Sequence, residues 1–339
     1  MQRSSLIRSA AAVLAVCALL SMLMLHGCSG SGKVPENTPP AVSDSAASDE
    51  TADSNAAGAA SDDEGGLSVA DYEYKEGENG TLILTGYTGS SSAPVIPTEI
   101  DGRMVTALDG TFTKNNNITD ITVPEGIVSI GGFTFNKCMK LTRVVLPDSL
   151  TEIQNQAFGG CVLLEDINFP SGSLMIGPGA FDSCQRLRSL TLTGDMSIGQ
   201  RAFNNSGLAE IVITEDVRKI DESAFESCKS LESIHIPGNV KVLDNCAFMG
   251  CDHLSSVTLD EGVYRIEGYV FAGCTSLKEL RLPESMGEVG PGAFHGCNIK
   301  IRALCDGAYY HGWGAFDNIK QYYCDGDGSI EWEYGRFDD

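Results

Sequence analysis

Positive charge is scarce in this chain of 339 residues: 23 Lys and Arg stand against 46 Asp and Glu, a formal net charge of −23. A nucleic-acid reader needs a basic stripe, and none is present. Such a surface also repels anionic lipid head groups. Histidines number five. His26 falls in the leader, and His235, His253, His295 and His311 lie far apart with no paired nucleophile and acid beside them, so no Ser-His-Asp or Cys-His site can be assembled. The 12 cysteines include no C-x-x-C pair, which argues against zinc. Asp325-Gly326-Asp327-Gly328-Ser329 starts like a calcium loop, but its sixth and twelfth positions hold Ile330 and Arg336 where glycine and glutamate are required. These absences leave no enzyme, no metal site and no cofactor to expect. Long apolar runs are equally rare, and the one present is Ser9–Leu25.

That run follows Arg3 and Arg8 and is short for a spanning helix. It closes on Leu25-His26-Gly27-Cys28, which resembles a bacterial lipobox apart from an unusual histidine. The resemblance implies a lipoprotein signal peptide over residues 1–27 and a lipidated Cys28 as the first mature residue. Residues 28–66 are built almost wholly of small, acidic and proline residues. They cannot bury enough surface to offset their ordering entropy, so a disordered tether is expected.

From residue 118 the sequence repeats. Units open at Ile118, Leu141, Leu164, Leu187, Leu208, Leu231, Leu254 and Leu277, at a spacing of 23 residues except for 21 after Leu187. A phenylalanine column (Phe112, Phe135, Phe158, Phe181, Phe203, Phe225, Phe248, Phe271, Phe294) keeps the same beat. A cysteine column runs three residues behind it: Cys138, Cys161, Cys184, Cys228, Cys251, Cys274 and Cys297. Each unit begins L-x-x-I-x-I/L, the alternation of a half-buried strand. Proline often follows and ends the ladder, as at Pro124 and Pro147. A second apolar pair leads to A-F-x-x-C, read as a short helical or 3₁₀ turn. One unit cannot bury its own apolar face, but stacked units share a core. The fold class is therefore α/β but strand-rich, a solenoid over residues 118–298. An N-terminal cap with a first atypical repeat is expected over 67–117. A C-terminal cap and acidic tail fill 299–339, with an edge-covering strand near Ile330–Tyr334. The Leu187 unit lacks two residues and carries Asn205-Ser206 in the cysteine region, so a pinched coil or a bend is expected there.

The 23-residue unit with A-F-x-x-C resembles the BspA-type leucine-rich repeat of microbial surface proteins, over about residues 95–298. That resemblance implies a right-handed leucine-rich-repeat solenoid and extracellular binding, including adhesion to host matrix proteins and other microbes. It supplies no catalytic residues and no fixed ligand position.

Candidate sites therefore come from the outward strand positions, because faces of rigid solenoids carry recognition. One column reads Asp120, Arg143, Asp166, Ser189, Glu210, Ser233, Ser256, Glu279. The other reads Thr122, Val145, Asn168, Thr191, Val212, His235, Thr258, Arg281. The bland alternative is an ordinary solvated sheet, since Arg143 between two aspartates is a cross-strand charge match. A rival site gathers Tyr264, Tyr269, Tyr309, Tyr310 and Trp313 towards the C-terminus. The ladder cysteines point one way in register, so buried thiols are favoured over disulfides. Cys305 and Cys324 bracket the C-terminal cap as a possible disulfide. Cys246 lies off the core columns, in register with Phe133 and Tyr269, which leaves an exposed thiol open as a reading. The chain is expected to bind a protein or glycan outside the cell, in adhesion to host or neighbouring-cell macromolecules. It would touch the membrane through its anchor alone and bind no nucleic acid, with its oligomeric state left open. A structural envelope protein, or a capture subunit of a membrane complex, is the alternative.

Overall fold

The computed structural model describes residues 68–303 and 321–324. Cys28, the 28–66 tether, Cys305, Tyr309, Tyr310, Trp313 and Ile330–Tyr334 lie outside them.

The chain enters on an antiparallel pair, β1 (Tyr72–Glu76) and β2 (Leu82–Tyr87), followed by β3 (Glu99–Ile100) and β4 (Arg103–Leu108). Each repeat then supplies two short strands on opposite sides of the coil. The first four coils give β5 (Asp120–Thr122) and β6 (Ser129–Ile130), β7 (Arg143–Val145) and β8 (Glu152–Ile153), β9 (Asp166–Ile167) and β10 (Leu174–Ile176), β11 (Ser189–Leu192) and β12 (Met196–Ile198). The next four give β13 (Glu210–Ile213) and β14 (Lys219–Ile220), β15 (Ser233–Ile236) and β16 (Val242–Leu243), β17 (Ser256–Leu259) and β18 (Arg265–Ile266), β19 (Glu279–Arg281) and β20 (Glu288–Val289). Strands β21 (Lys300–Ala303) and β22 (Gln321–Cys324) continue the first series.

The even-numbered strands up to β20, whose repeat members are read as a plain apolar pair in the sequence, form the long ladder. From β2 through β4 and β6 to β20 they pair in parallel as one unbroken sheet, with β1 added at the end. The L-x-x-I-x-I strands form four separate sheets instead: β5-β7-β9, β11-β13, β15-β17 and β19-β21-β22.

The A-F-x-x-C segments are chains of tight turns, not helix. The 3₁₀ helices among the described residues are Val69–Asp71, just before β1, and Glu78–Gly80, between β1 and β2. The hydrogen bonds explain why. In the first coil the N–H groups of Thr134, Asn136 and Cys138 donate back three residues, to Gly131, Phe133 and Phe135 at 3.4, 3.0 and 3.1 Å. The intervening N–H groups of Phe133, Phe135 and Lys137 donate outward, to Asn155, Ala157 and Gly159 of the next coil at 3.1, 2.7 and 2.7 Å. A helix would turn every donor inward, whereas this alternation stitches coil to coil. It requires a left-handed backbone at two places per coil, Phe133 and Lys137 both at φ 59°. Glycine takes the second place in the following coil, at Gly160.

Inside, the nine phenylalanines of the column are all buried. Their rings stack face to face at 4.9 to 5.8 Å with interplanar angles of 3° to 11°. Every ladder thiol is buried too, and each donates to the carbonyl of the preceding coil's phenylalanine. Cys138 Sγ reaches Phe112 O at 3.0 Å and Cys228 Sγ reaches Phe203 O at 3.2 Å. In the Leu187 coil Ser206 takes the cysteine's place and stands 3.2 Å from Cys228 Sγ. Cys246 is buried at 2% exposure, which corrects the reading of an exposed thiol.

Candidate functional site

The outward columns do stand on the outer face. Asp120, Thr122, Arg143, Asp166, Asn168, Thr191, Glu210, His235, Thr258, Glu279 and Arg281 are exposed, and Val145 is half-buried. The fold aligns Asp120, Arg143 and Asp166 as direct ladder partners, and likewise Thr122 with Val145, Thr191 with Val212, and His235 with Thr258. The face is cut between Asp166 and Ser189, between Val212 and His235, and between Thr258 and Arg281, where the sheets end. The outer face is therefore made of four adjoining short sheets.

Four of the named residues already have partners within the fold: Arg143, Asp166, Asn168 and His235. Arg143 Nε pairs with Asp166 at 3.2 Å. Asn168 Oδ1 accepts from Leu146 N at 2.8 Å while its Nδ2 donates to Leu146 O at 2.9 Å, so the side chain extends the β7–β9 ladder by one rung. His235 Nε2 lies 2.8 Å from Asp260 Oδ2, an exposed pair.

The cut between β9 and β11 is open. No backbone hydrogen bond joins the two strands, and a cleft of about 390 Å³ occupies the gap. Glu165, Asp166 and Asn168 line one wall, Ser189, Thr191 and Thr193 the other, with Ile167, Phe169 and Leu190 beneath. The two coils remain joined elsewhere: β10 and β12 pair over three residues, and Phe181 stacks on Phe203 at 5.2 Å. The gap is local.

Sequence accounts for it. The inward strand positions elsewhere hold Val123, Leu146, Leu192 or Ile213, all buried. In the Leu164 coil the residue is Phe169, too large for the slot, and its ring stands edge-on to Phe181 at 5.6 Å and 69°. Phe169 and Ile167 are only partly buried. The next coil is the one shortened by two residues, and it is pinched on both sides. A Cβ on Gly194 would sit 2.5 Å from Gly172 O, and one on Gly207 would collide with the carbonyl of Gln185. A bulky wedge on one coil and a tight neighbour hold the outer strands apart. Phe169, Thr193 and Glu165 were not singled out by alternation, although the odd phenylalanine and the 21-residue step both stand in the sequence.

A second cleft, of about 320 Å³, lies over the continuous sheet between Thr81, Ile83, Thr106, Ser129 and Gln154, where Lys75 holds Asp109 at 2.6 Å. Its strands stay paired beneath it, with a shift of register between Leu82 and Ile83.

Of the aromatic alternative, Tyr264 and Tyr269 are among the described residues. Tyr264, half exposed, lies over Gly287, and Tyr269 lies over Gly292 with its ring 6.5 Å from His295. Each ring covers the backbone of the next coil. Cys324 falls on β22, where Ala303 is its ladder partner.

Burial pushes the ladder thiols up, to about 12 at Cys138 and about 11 at Cys228 and Cys297, and the same desolvation raises Cys161, Cys184, Cys251 and Cys274. A thiol held protonated is neither nucleophile nor metal ligand. Among the described residues no group of three His, Cys, Asp or Glu could hold a metal ion. None of the described helices is long and apolar enough to cross a membrane. What the outer face offers is contact.

Two-strand coils wound on a phenylalanine and cysteine ladder define a leucine-rich-repeat solenoid. The BspA-type leucine-rich repeat region matches residues 108–222 and 196–322 in six copies, and the chain belongs to this family. A leucine-rich repeat protein from Bacteroides ovatus shares the fold, with a TM-score of 0.64 and 23% identity over 75% of this chain and 70% of that one. The leucine-rich repeat protein of T. pallidum is 29% identical over 62% of this chain and 89% of that one, with a TM-score of 0.49. No curated protein matches the chain significantly.

Proposed function

We propose that this protein is a lipid-anchored binding module on the outside of a bacterial cell, adhering to host or neighbouring-cell macromolecules. The outer face carries the reading: exposed polar strand columns on a packed core, with a cleft between β9 and β11. Rigidity lets the face bind without losing much conformational freedom of its own. The apolar leader closing on Cys28 supports export and acylation, and acyl chains of a modified cysteine would add about 0.8 kcal/mol of membrane affinity per buried methylene. The acidic 28–66 segment would then separate the solenoid from the bilayer.

Binding of the intact purified chain to an array of matrix proteins and glycans tests this. Strong, saturable binding that falls at least tenfold when Glu210→Arg and Arg281→Glu are combined is the expected result. A structural envelope role is favoured by one observation, that Arg143 pairs with Asp166 and Asn168 bonds Leu146 within the fold. Silence on the array, together with a stable complex pulled from the envelope, would support that role instead.

A further inference from the structure

We propose that the β9–β11 cleft is a subsite for one ring of a neutral saccharide, a reading that rests on the binding-module function and names its ligand class. A parallel ladder interrupted on one side of a solenoid leaves backbone donors and acceptors facing a gap, where water or a ligand can meet them. A sugar carries hydroxyls that both donate and accept. The walls are matched to that chemistry: the exposed hydroxyls of Ser189 and Thr191, the half-buried hydroxyl of Thr193, and the Asp166 carboxylate on the opposite side. Asn168 keeps one N–H and one lone pair after its two bonds to Leu146. Phe169, half-buried at the base, offers an apolar surface for the C–H side of a ring.

Charge selects the class further. Asp166 is matched by Arg143 at 3.2 Å and Glu165 by Arg186 at 2.6 Å, so the rim is close to neutral. On a chain of net charge −23 nothing here would attract a sialylated or sulfated glycan. The volume, about 390 Å³, lies at the small end of ligand sites, which suits a sugar ring and not a folded domain.

Saturation-transfer NMR of the full chain with galactose, mannose, N-acetylglucosamine and their short oligomers tests the assignment, with N-acetylneuraminic acid and a heparin fragment as charged arms. At least one neutral sugar should show transfer. The Ser189→Ala, Thr191→Val double variant should weaken it at least tenfold with an unchanged melting temperature. Phe169→Leu, which lets β9 and β11 close, should abolish it. The proposal is overturned if no neutral sugar shows transfer, if the charged probes are preferred, or if the double variant binds as well as the parent. If these variants lose no binding to a matrix protein while sugar transfer is absent, the saccharide subsite falls and the binding module stands.

Discussion

Each coil contributes a phenylalanine to the core and, except in the Leu187 coil, a cysteine from Cys138 onward. A stacked ring in the column touches rings on both sides, so removing one leaves a void that neither neighbouring coil can fill. Phe225→Ala should therefore cost about 3–5 kcal/mol in urea unfolding. Phe133 is the contrasting case: its side chain is 47% exposed and its backbone sits at φ 59°. Phe133→Gly relieves a left-handed conformation that disfavours L-residues by about 1 kcal/mol, so the same measurement should find it neutral or stabilising. Both columns could be read from spacing alone. That Phe133 and Cys246 occupy a left-handed turn position could not, because alternation reports side-chain period and says nothing of which N–H groups point to the next coil. Nor does it separate a buried thiol there from an exposed one.

The thiols carry a pH signature. Their folded pKa values are raised, so the folded state holds its protons where the unfolded chain releases them. Stability is thus full below the ordinary thiol value of 9.0 and is lost as pH rises from there towards 11–12. Each thiol would add about 1.4 kcal/mol per pH unit to the slope. Melting temperature should fall steeply above pH 9 in the parent and less in a Cys228→Ala, Cys251→Ala variant. Parallel curves for the two would contradict the assignment.

Between elements, two irregularities that offset each other are visible. The Leu187 coil lost one residue after β11 and one after its turn, and glycine at each point lets the shortened chain lie against its predecessor. Gly207→Ala should destabilise by more than about 1–3 kcal/mol, the usual cost of overpacking. Gly172→Ala, where an added methyl meets nothing within 4 Å, should change little. Equal effects in the two variants would remove the pinched-coil account. The repeat, its register and the odd coil were readable in the sequence. The separation of the first-strand series into four sheets, and the dominance of the second series, were not. Two-residue strands such as Ser129–Ile130 are too short to show alternation, and whether neighbouring strands pair depends on how far a side chain such as Phe169 holds them apart.

At the scale of the molecule, the proposed role of the solenoid is to present a surface. Its interior is filled with stacked rings and protonated thiols, so the proposed recognition falls to the outer columns and to the opened β9–β11 joint. Anchoring is a separate claim with its own check: Cys28→Ala should release the protein from the cell-envelope fraction into the medium and end incorporation of labelled palmitate. The recognition face is tested most directly by hydrogen–deuterium exchange of the intact chain with and without a bound matrix protein or glycan from the array. Protection is expected to rise on Asp166–Ile167, Ser189–Leu192 and the flanking outer strands. Protection confined to the continuous sheet from Ser129–Ile130 to Glu288–Val289, or to the turn edge, would contradict it.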